Sequence, residues 1–245
     1  MFVVFLPVFA FLFSKLFMLE VSKVQIDVMA AGAYLMGIVF ILSTVVTLLG
    51  NDLGSKVCYF FLTPPIRRQD YLLGRFFGLV VVVTLLYIVL LIGVEGLVWY
   101  SLEYEDPFYR HGISWITGVM VAWTAWYQTL SLLSVIFMIC TWASGVAEML
   151  VFSSSAAFIY WVFPAILSAI QAKNDIDSIV SDKLANIIEM LAWLLPDMTG
   201  GSLVLAFEHG IAVDYQVVFM HAAGHLGYTI IMMLLAFLIF MRRDL

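Results

Sequence analysis

Six apolar runs, each about 20 residues long and each ended by a polar cluster, follow one another along the chain at residues 1–19, 28–50, 76–100, 115–140, 147–170 and 217–241. A helix needs about 20 mostly apolar residues to cross the roughly 30 Å hydrocarbon core of a bilayer, so each run predicts one transmembrane helix. The expected fold is an all-α integral membrane protein with six spans, built as a single transmembrane domain over residues 1–245. The first run lacks a basic flank and a small-residue cleavage site, which predicts a retained span instead of a removable signal peptide.

The connections differ in kind. Only residues 141–146 separate the fourth and fifth runs, which forces an antiparallel hairpin. About 45 residues separate the fifth and sixth. That segment holds an amphipathic helical pattern at 184–195, then Pro196, a Gly200–Gly201 break and a second apolar stretch at 202–207. Neither piece is long enough to cross, so both are expected as short interfacial helices. Trp193, Trp99, Tyr100 and Tyr104 suit the same headgroup level.

Between the second and third runs lies residues 60–78, FFLTPPIRRQDYLLGRFFG. Pro64 and Pro65 stop a helix arriving from residues 58–62, and a new helix starts after them and enters the bilayer. Arg67, Arg68 and Arg75 mark this junction as a water-facing inner anchor. With both termini inside, the inner basic residues are Lys56, Arg67, Arg68, Arg75, Arg242 and Arg243. The outer ones are Lys15, Lys23, Arg110, Lys173 and Lys183, a balance of six against five.

This connector resembles that of the type-2 class of ATP-binding-cassette (ABC) export permeases. The family pattern of leucine, proline, isoleucine and arginine, then an acidic residue, tyrosine, two leucines, glycine, a basic residue and a later glycine reads here as Leu62, Pro65, Ile66, Arg67 or Arg68, Asp70, Tyr71, Leu72, Leu73, Gly74, Arg75 and Gly78. Where many relatives carry a glutamate and a glycine-threonine ending before the connector, this chain has Asn51, Asp52, Gly54 and Ser55, and its terminal MRRDL is similar to the family ending. The resemblance implies a membrane-spanning permease subunit of a bacterial inner-membrane exporter, working as a homodimer in contact with membrane lipid, both termini cytoplasmic. It further implies a coupling helix between spans two and three that docks on a separate ABC ATPase subunit through Leu62, Pro64, Pro65, Ile66, Arg67, Arg68, Asp70, Tyr71, Gly74 and Arg75.

Composition sharpens this picture. At 64% hydrophobic and 11% charged residues, the chain is far more apolar than a soluble domain. No GxxxxGK[ST] phosphate loop is present, so the chain is not expected to be an enzyme or to bind a cofactor itself; ATP and Mg²⁺ would be used by the partner ATPase. The formal net charge of −6 hides an asymmetry that depends on which loops face which side and says nothing about partners; no nucleic-acid partner is expected. Cys58 and Cys140 sit in the connector and at an inner span end, where reduced thiols are expected. Few charges inside the spans favour a lipid, amphiphile or hydrophobic compound over a small ion as the exported species.

Three further features carry candidate chemistry. Glu95, about 7.5 Å inside the outer end of the third run, either lines a translocation path or pairs with a cation such as Lys15. His221 and His225, spaced i, i+4 near the outer end of the sixth run, are candidate zinc or copper ligands, against the commoner reading of interfacial histidines bonded to loop carbonyls. The strings WASG at 142–145 and HAAGHLG at 221–227 are loosely similar to motifs of rhomboid intramembrane serine proteases, with Ser144 as nucleophile and either histidine as base. On the predicted spans, Ser144 and the histidines lie at opposite membrane faces, about 30 Å apart. A non-transporting scaffold subunit, held by small residues at Gly32, Gly37, Gly118 and 153–157, is the remaining alternative.

Overall fold

The computed structural model describes residues 2–16, 21–54, 67–105, 113–174, 203, 206, 211 and 214–242. It is all-helical over these residues: α1 (Phe2–Ser14), α2 (Val21–Gly54), α3 (Arg68–Tyr104), α4 (Trp115–Trp142), α5 (Val146–Asn174) and α6 (Tyr215–Arg242). Five of them, α2 to α6, are long and apolar enough to cross a membrane, as a multi-pass membrane protein requires. α1 has 13 residues, about 20 Å at 1.5 Å per residue, and packs along α2 and α3.

The helices extend past the apolar runs that predict them. α2 begins seven residues before the run at 28–50, and α3 begins eight before the run at 76–100. A hydropathy window marks only the hydrocarbon crossing, whereas the helix continues wherever its outer turns find polar partners. At the start of α2 those partners are present. Gln25 donates to Ser14 Oγ at 3.0 Å, Ser22 donates to the Glu105 carboxylate, and Ser101 reaches Gln25 at 3.5 Å, tying α1, α2 and α3 together.

α4 is the pillar of the bundle and packs against α2, α3, α5 and α6. Its most apolar window has the lowest hydropathy among those of the five long helices, 1.4, yet 67% of that window is buried, against at most 33% in the others. In lipid this inversion is expected, because helix association rests on close packing and hydrogen bonds, while apolar side chains are at ease facing acyl chains. The exposed faces accordingly carry Phe77, Val81, Leu85 and Ile92 on α3 and Phe219, Ile230, Leu234 and Leu238 on α6. Three threonines in the spans are satisfied within their own helices: Thr84, Thr124 and Thr229 donate to the carbonyls of Val80, Met120 and His225 at 2.8, 2.8 and 2.9 Å.

The hairpin between α4 and α5 is as short as the sequence predicts. Glu148 in the first turn of α5 accepts from the N–H and the hydroxyl of Ser144 at 3.0 and 2.7 Å, capping α5 with an acid where the helix dipole favours one. The interfacial helices expected between the last two spans, with Trp193, lie outside the described residues except at isolated positions, of which Leu203 is buried against Val218.

Candidate functional site

Leu62, Pro64, Pro65 and Ile66 lie outside the described residues, so a separate coupling helix is not among the described elements. The remaining connector residues belong to α3 itself. Arg67 is its N-cap, in extended backbone at φ −69° and ψ 143°, and Arg68, Asp70, Tyr71, Gly74 and Arg75 occupy its first two turns. Asp70 is the acid of the first turn, where the helix dipole stabilises it.

These turns are bolted to the end of α2. Arg75 Nη2 lies 2.6 Å from Asp52 Oδ2, and the Tyr71 hydroxyl donates to the same oxygen at 2.7 Å. The Arg75 guanidinium also lies over the Tyr71 ring, 5.6 Å from its centroid, and Tyr71 stacks on Phe240 near the end of α6 at 6.3 Å. Asp52 is buried, with 11% of its side chain exposed against 30% for Arg75. Arg75 stays partly exposed at this junction, and its charge is in addition paired with Asp52 of α2. Asp52, on the last turn of α2, and Arg75, on the second turn of α3, clamp together the two stems from which residues 55–66 emerge. The last turn of α6 is held against the same point.

Glu95 faces α4. A Cβ at position 118 would come within 2.5 Å of Glu95 Oε1, so Gly118 is the residue that makes room for the carboxylate. That oxygen is enclosed without a hydrogen-bond partner among the described residues, while Val119 supplies a backbone hydrogen bond to the carboxylate. Lys15 lies elsewhere, over the rings of Phe11 and Tyr100 at 5.1 and 5.5 Å. Of the alternatives for Glu95, the structure shows its carboxylate packed against Gly118 of α4, while Lys15 stands over Phe11 and Tyr100.

Of the two histidines, His225 is inside the bundle and His221 is half-buried. His225 lies ten residues into α6, about 15 Å along its axis, and is buried against α4. Its Nδ1 is 3.0 Å from Ser131 Oγ, and its ring lies 4.9 Å from that of Tyr127. Ser131 donates to the Gln128 carbonyl at 2.8 Å and contacts the Tyr160 hydroxyl, which donates to the same carbonyl at 2.9 Å. The tautomer of the His225 ring sets which of the two donates in this contact. A second buried contact continues the layer, where Tyr87 meets Thr129 Oγ1 at 2.5 Å and donates to the Ala33 carbonyl at 3.1 Å. Gly37 permits it, since a Cβ there would lie 2.5 Å from the Tyr87 hydroxyl. This polar layer joins α2, α3, α4, α5 and α6 at mid-bundle.

The layer bears on two sequence-based candidates. Ser144 is held by Glu148 at the α4–α5 turn and His225 by Ser131 at mid-bundle, so the structure does not bring Ser144 and His225 together. Among the described residues no group of three or more His, Cys, Asp or Glu side chains converges as a metal site. Cys140 is free and buried, 3.8 Å from Ser153 Oγ.

If His225 packs and bonds without binding metal, His225→Phe costs about 1 kcal/mol, the usual size of an interhelical hydrogen bond in a membrane. His225→Ala costs about 2–3 kcal/mol because it also opens a cavity beside Tyr127. Thermal unfolding in detergent measures both, and zinc or copper lost on replacing His221 and His225 together, with equal destabilisation by the two single variants, would show a metal site instead.

No protein-family model matches the chain, and no curated protein matches it.

Proposed function

We propose that the chain is the membrane-spanning permease subunit of an ABC exporter, with six spans, both termini in the cytoplasm of a bacterial cell and the segment between α2 and α3 acting as the coupling element. Energy comes from ATP and Mg²⁺ on a separate ATPase, and two copies of the chain form the path. The observation that carries this reading is the Asp52–Tyr71–Arg75 clamp. A segment that transmits force between an ATPase and a helix bundle needs both of its stems fixed to each other and to the bundle. Charge-assisted hydrogen bonds at 2.6 and 2.7 Å, with Tyr71 stacked on α6, supply such a joint. Arg67, Arg68 and Asp70 then stand at the mouth of the connector, where an acidic and basic cleft of a partner would meet them.

A scaffold or an intramembrane protease gains less support. The serine–histidine pair the structure does form, Ser131 with His225, is buried inside the bundle away from any substrate entrance.

The chain purified in mild detergent from its native membrane is expected to bring with it a polypeptide that carries a phosphate-binding loop and hydrolyses ATP. Impermeant thiol reagents in intact cells should label a single cysteine placed at position 182 and spare Cys58. Purification without such a partner, or labelling of Cys58 with silence at 182, overturns the proposal.

A further inference from the structure

We propose that Glu95 is a proton-binding site at one end of the seam between α3 and α4. Seated against Gly118 it is a neutral carboxylic acid, and it ionises only by swinging out of the seam to the nearby membrane surface. The coupling reading does not use this side chain, so the site holds whether or not the chain works with an ATPase.

The seat suits a group without charge. Glu95 Oε1 is enclosed and accepts no hydrogen bond among the described residues, which leaves the Val119 N–H to the other carboxyl oxygen. Oε1 rests on the bare face of Gly118, where an added Cβ would lie 2.5 Å from Oε1, 3.0 Å from Glu95 Cδ and 3.2 Å from Val94 Cγ1. A space that does not take one carbon has no room for a metal ion or an ammonium group, and a proton is the cation that fits. With the proton on Oε1, the second oxygen stays a carbonyl and still accepts from Val119. Ionised in the same seat, the group would be a charge against Val94 and Gly118 without a counter-charge, which costs far more than a neutral hydroxyl there.

Among the described residues, the elements packed on α3 supply no cation to Glu95. α4 carries no Asp, Glu, Lys, Arg or His, and its titratable side chains, Tyr127 and Cys140, lie deeper in the helix. Lys15, just past α1, stands over Phe11 and Tyr100. α2 brings Lys23 and Asp27 in its first two turns, α3 itself ends with Tyr100, Glu103, Tyr104 and Glu105, and the Glu105 carboxylate is taken by Ser22. α6 brings His221, His225 and Tyr228, with His225 held by Ser131. The way out is short. Glu95 follows Arg75 by 20 residues on one helix, about 30 Å, so with Arg75 at one boundary of a roughly 30 Å hydrocarbon core Glu95 is at the other. Its side chain is partly exposed, and Trp99 and Trp115, 50% and 51% exposed, mark the headgroup level beside it on α3 and α4.

Infrared titration of the full chain in lipid bilayers reads the proton directly, because the C=O stretch of a carboxylic acid is resolved from the bands of a carboxylate. A carboxylic-acid band that persists at neutral pH is expected, and Glu95→Gln, which keeps the shape of the neutral acid, should remove it. Gly118→Ala fills the seat. The atom its Cβ meets first is the end of a flexible side chain, and alanine is the better helix former, so the fold is kept while the carboxyl is pushed out. With Glu95 still present, that variant is expected to lose the band at neutral pH and regain it only in acid. Arg110→Gln removes the cation of the loop between α3 and α4 and should leave the band unaltered. A parent without a neutral-pH band, or a band unchanged in Gly118→Ala, overturns the proposal. A band that appears only in Arg110→Gln shows an ion pair in place of a bound proton and overturns it too.

Discussion

Replacing Asp52 by Asn is expected to lower the unfolding free energy by about 2–3 kcal/mol, below the 3–5 kcal/mol of a fully buried pair because Arg75 retains 30% of its side-chain exposure. The variant leaves a guanidinium without its counter-charge, while Tyr71 keeps an oxygen to donate to. Arg75→Gln leaves the opposite charge, the more buried Asp52, and is expected to cost at least as much. Removing both charges together should destabilise less than the two single effects added, because neither ion is then left alone. If the clamp holds the connector stems, the same 2–3 kcal/mol shifts the clamped population by roughly thirty- to a hundred-and-fiftyfold. Hydrolysis by the associated ATPase should then uncouple from the permease. Unfolding in detergent and hydrolysis in reconstituted membranes read the two effects separately. Additive single variants with unaltered coupling would reduce Asp52 and Arg75 to two independent charges at a membrane surface.

The architecture is legible in the sequence because a bilayer imposes a length and a polarity that single residues obey. The five long helices each contain their apolar run, and the α4–α5 hairpin follows from six intervening residues. Helix ends are less legible, since Ser22, Gln25 and Glu105 lie outside the apolar runs, and their partners are distant in sequence: Ser22 meets Glu105, and Gln25 meets Ser14 and Ser101. The clamp is harder still. Asp52 and Arg75 are 23 positions apart with two prolines between them, and their meeting depends on the rotation of α2 and α3, which charge counting does not contain. Counted as an inside charge, Arg75 looks the same whether solvated or paired.

The histidine layer had a signal that the spacing of histidines alone does not reveal. Thr117, Thr124 and Ser131 recur every seventh residue along α4, a polar stripe on one face that in lipid belongs to the bundle interior. His221 and His225, at i and i+4, are a matching stripe on α6. Their partners lie 94 positions away in the case of Ser131 and His225, so the stripes show that the helices bury polar faces without showing which faces meet.

Reversing Arg67 and Arg68 to Glu separates anchoring from coupling. Both roles use positive charge, but only one uses its position. As inner anchors the arginines act through the number of basic residues near the span end, so arginines introduced at the exposed Asn51 and at Ser55 should restore insertion. Asp52 has to stay untouched in this control, because it holds Arg75 and a change there would disturb the stems by itself. As contacts with an ATPase the arginines act at one place, and loss of a hydrogen-bonded charge pair in an interface costs about 2–5 kcal/mol, or at least thirtyfold in affinity. The reversed chain carrying the compensating arginines is therefore expected to insert normally, unfold at the parent's temperature and still fail to retain the ATPase through purification. Recovery of the ATPase together with insertion would show that Arg67 and Arg68 only orient the chain in the membrane, and the coupling role of the segment between α2 and α3 would fall with it.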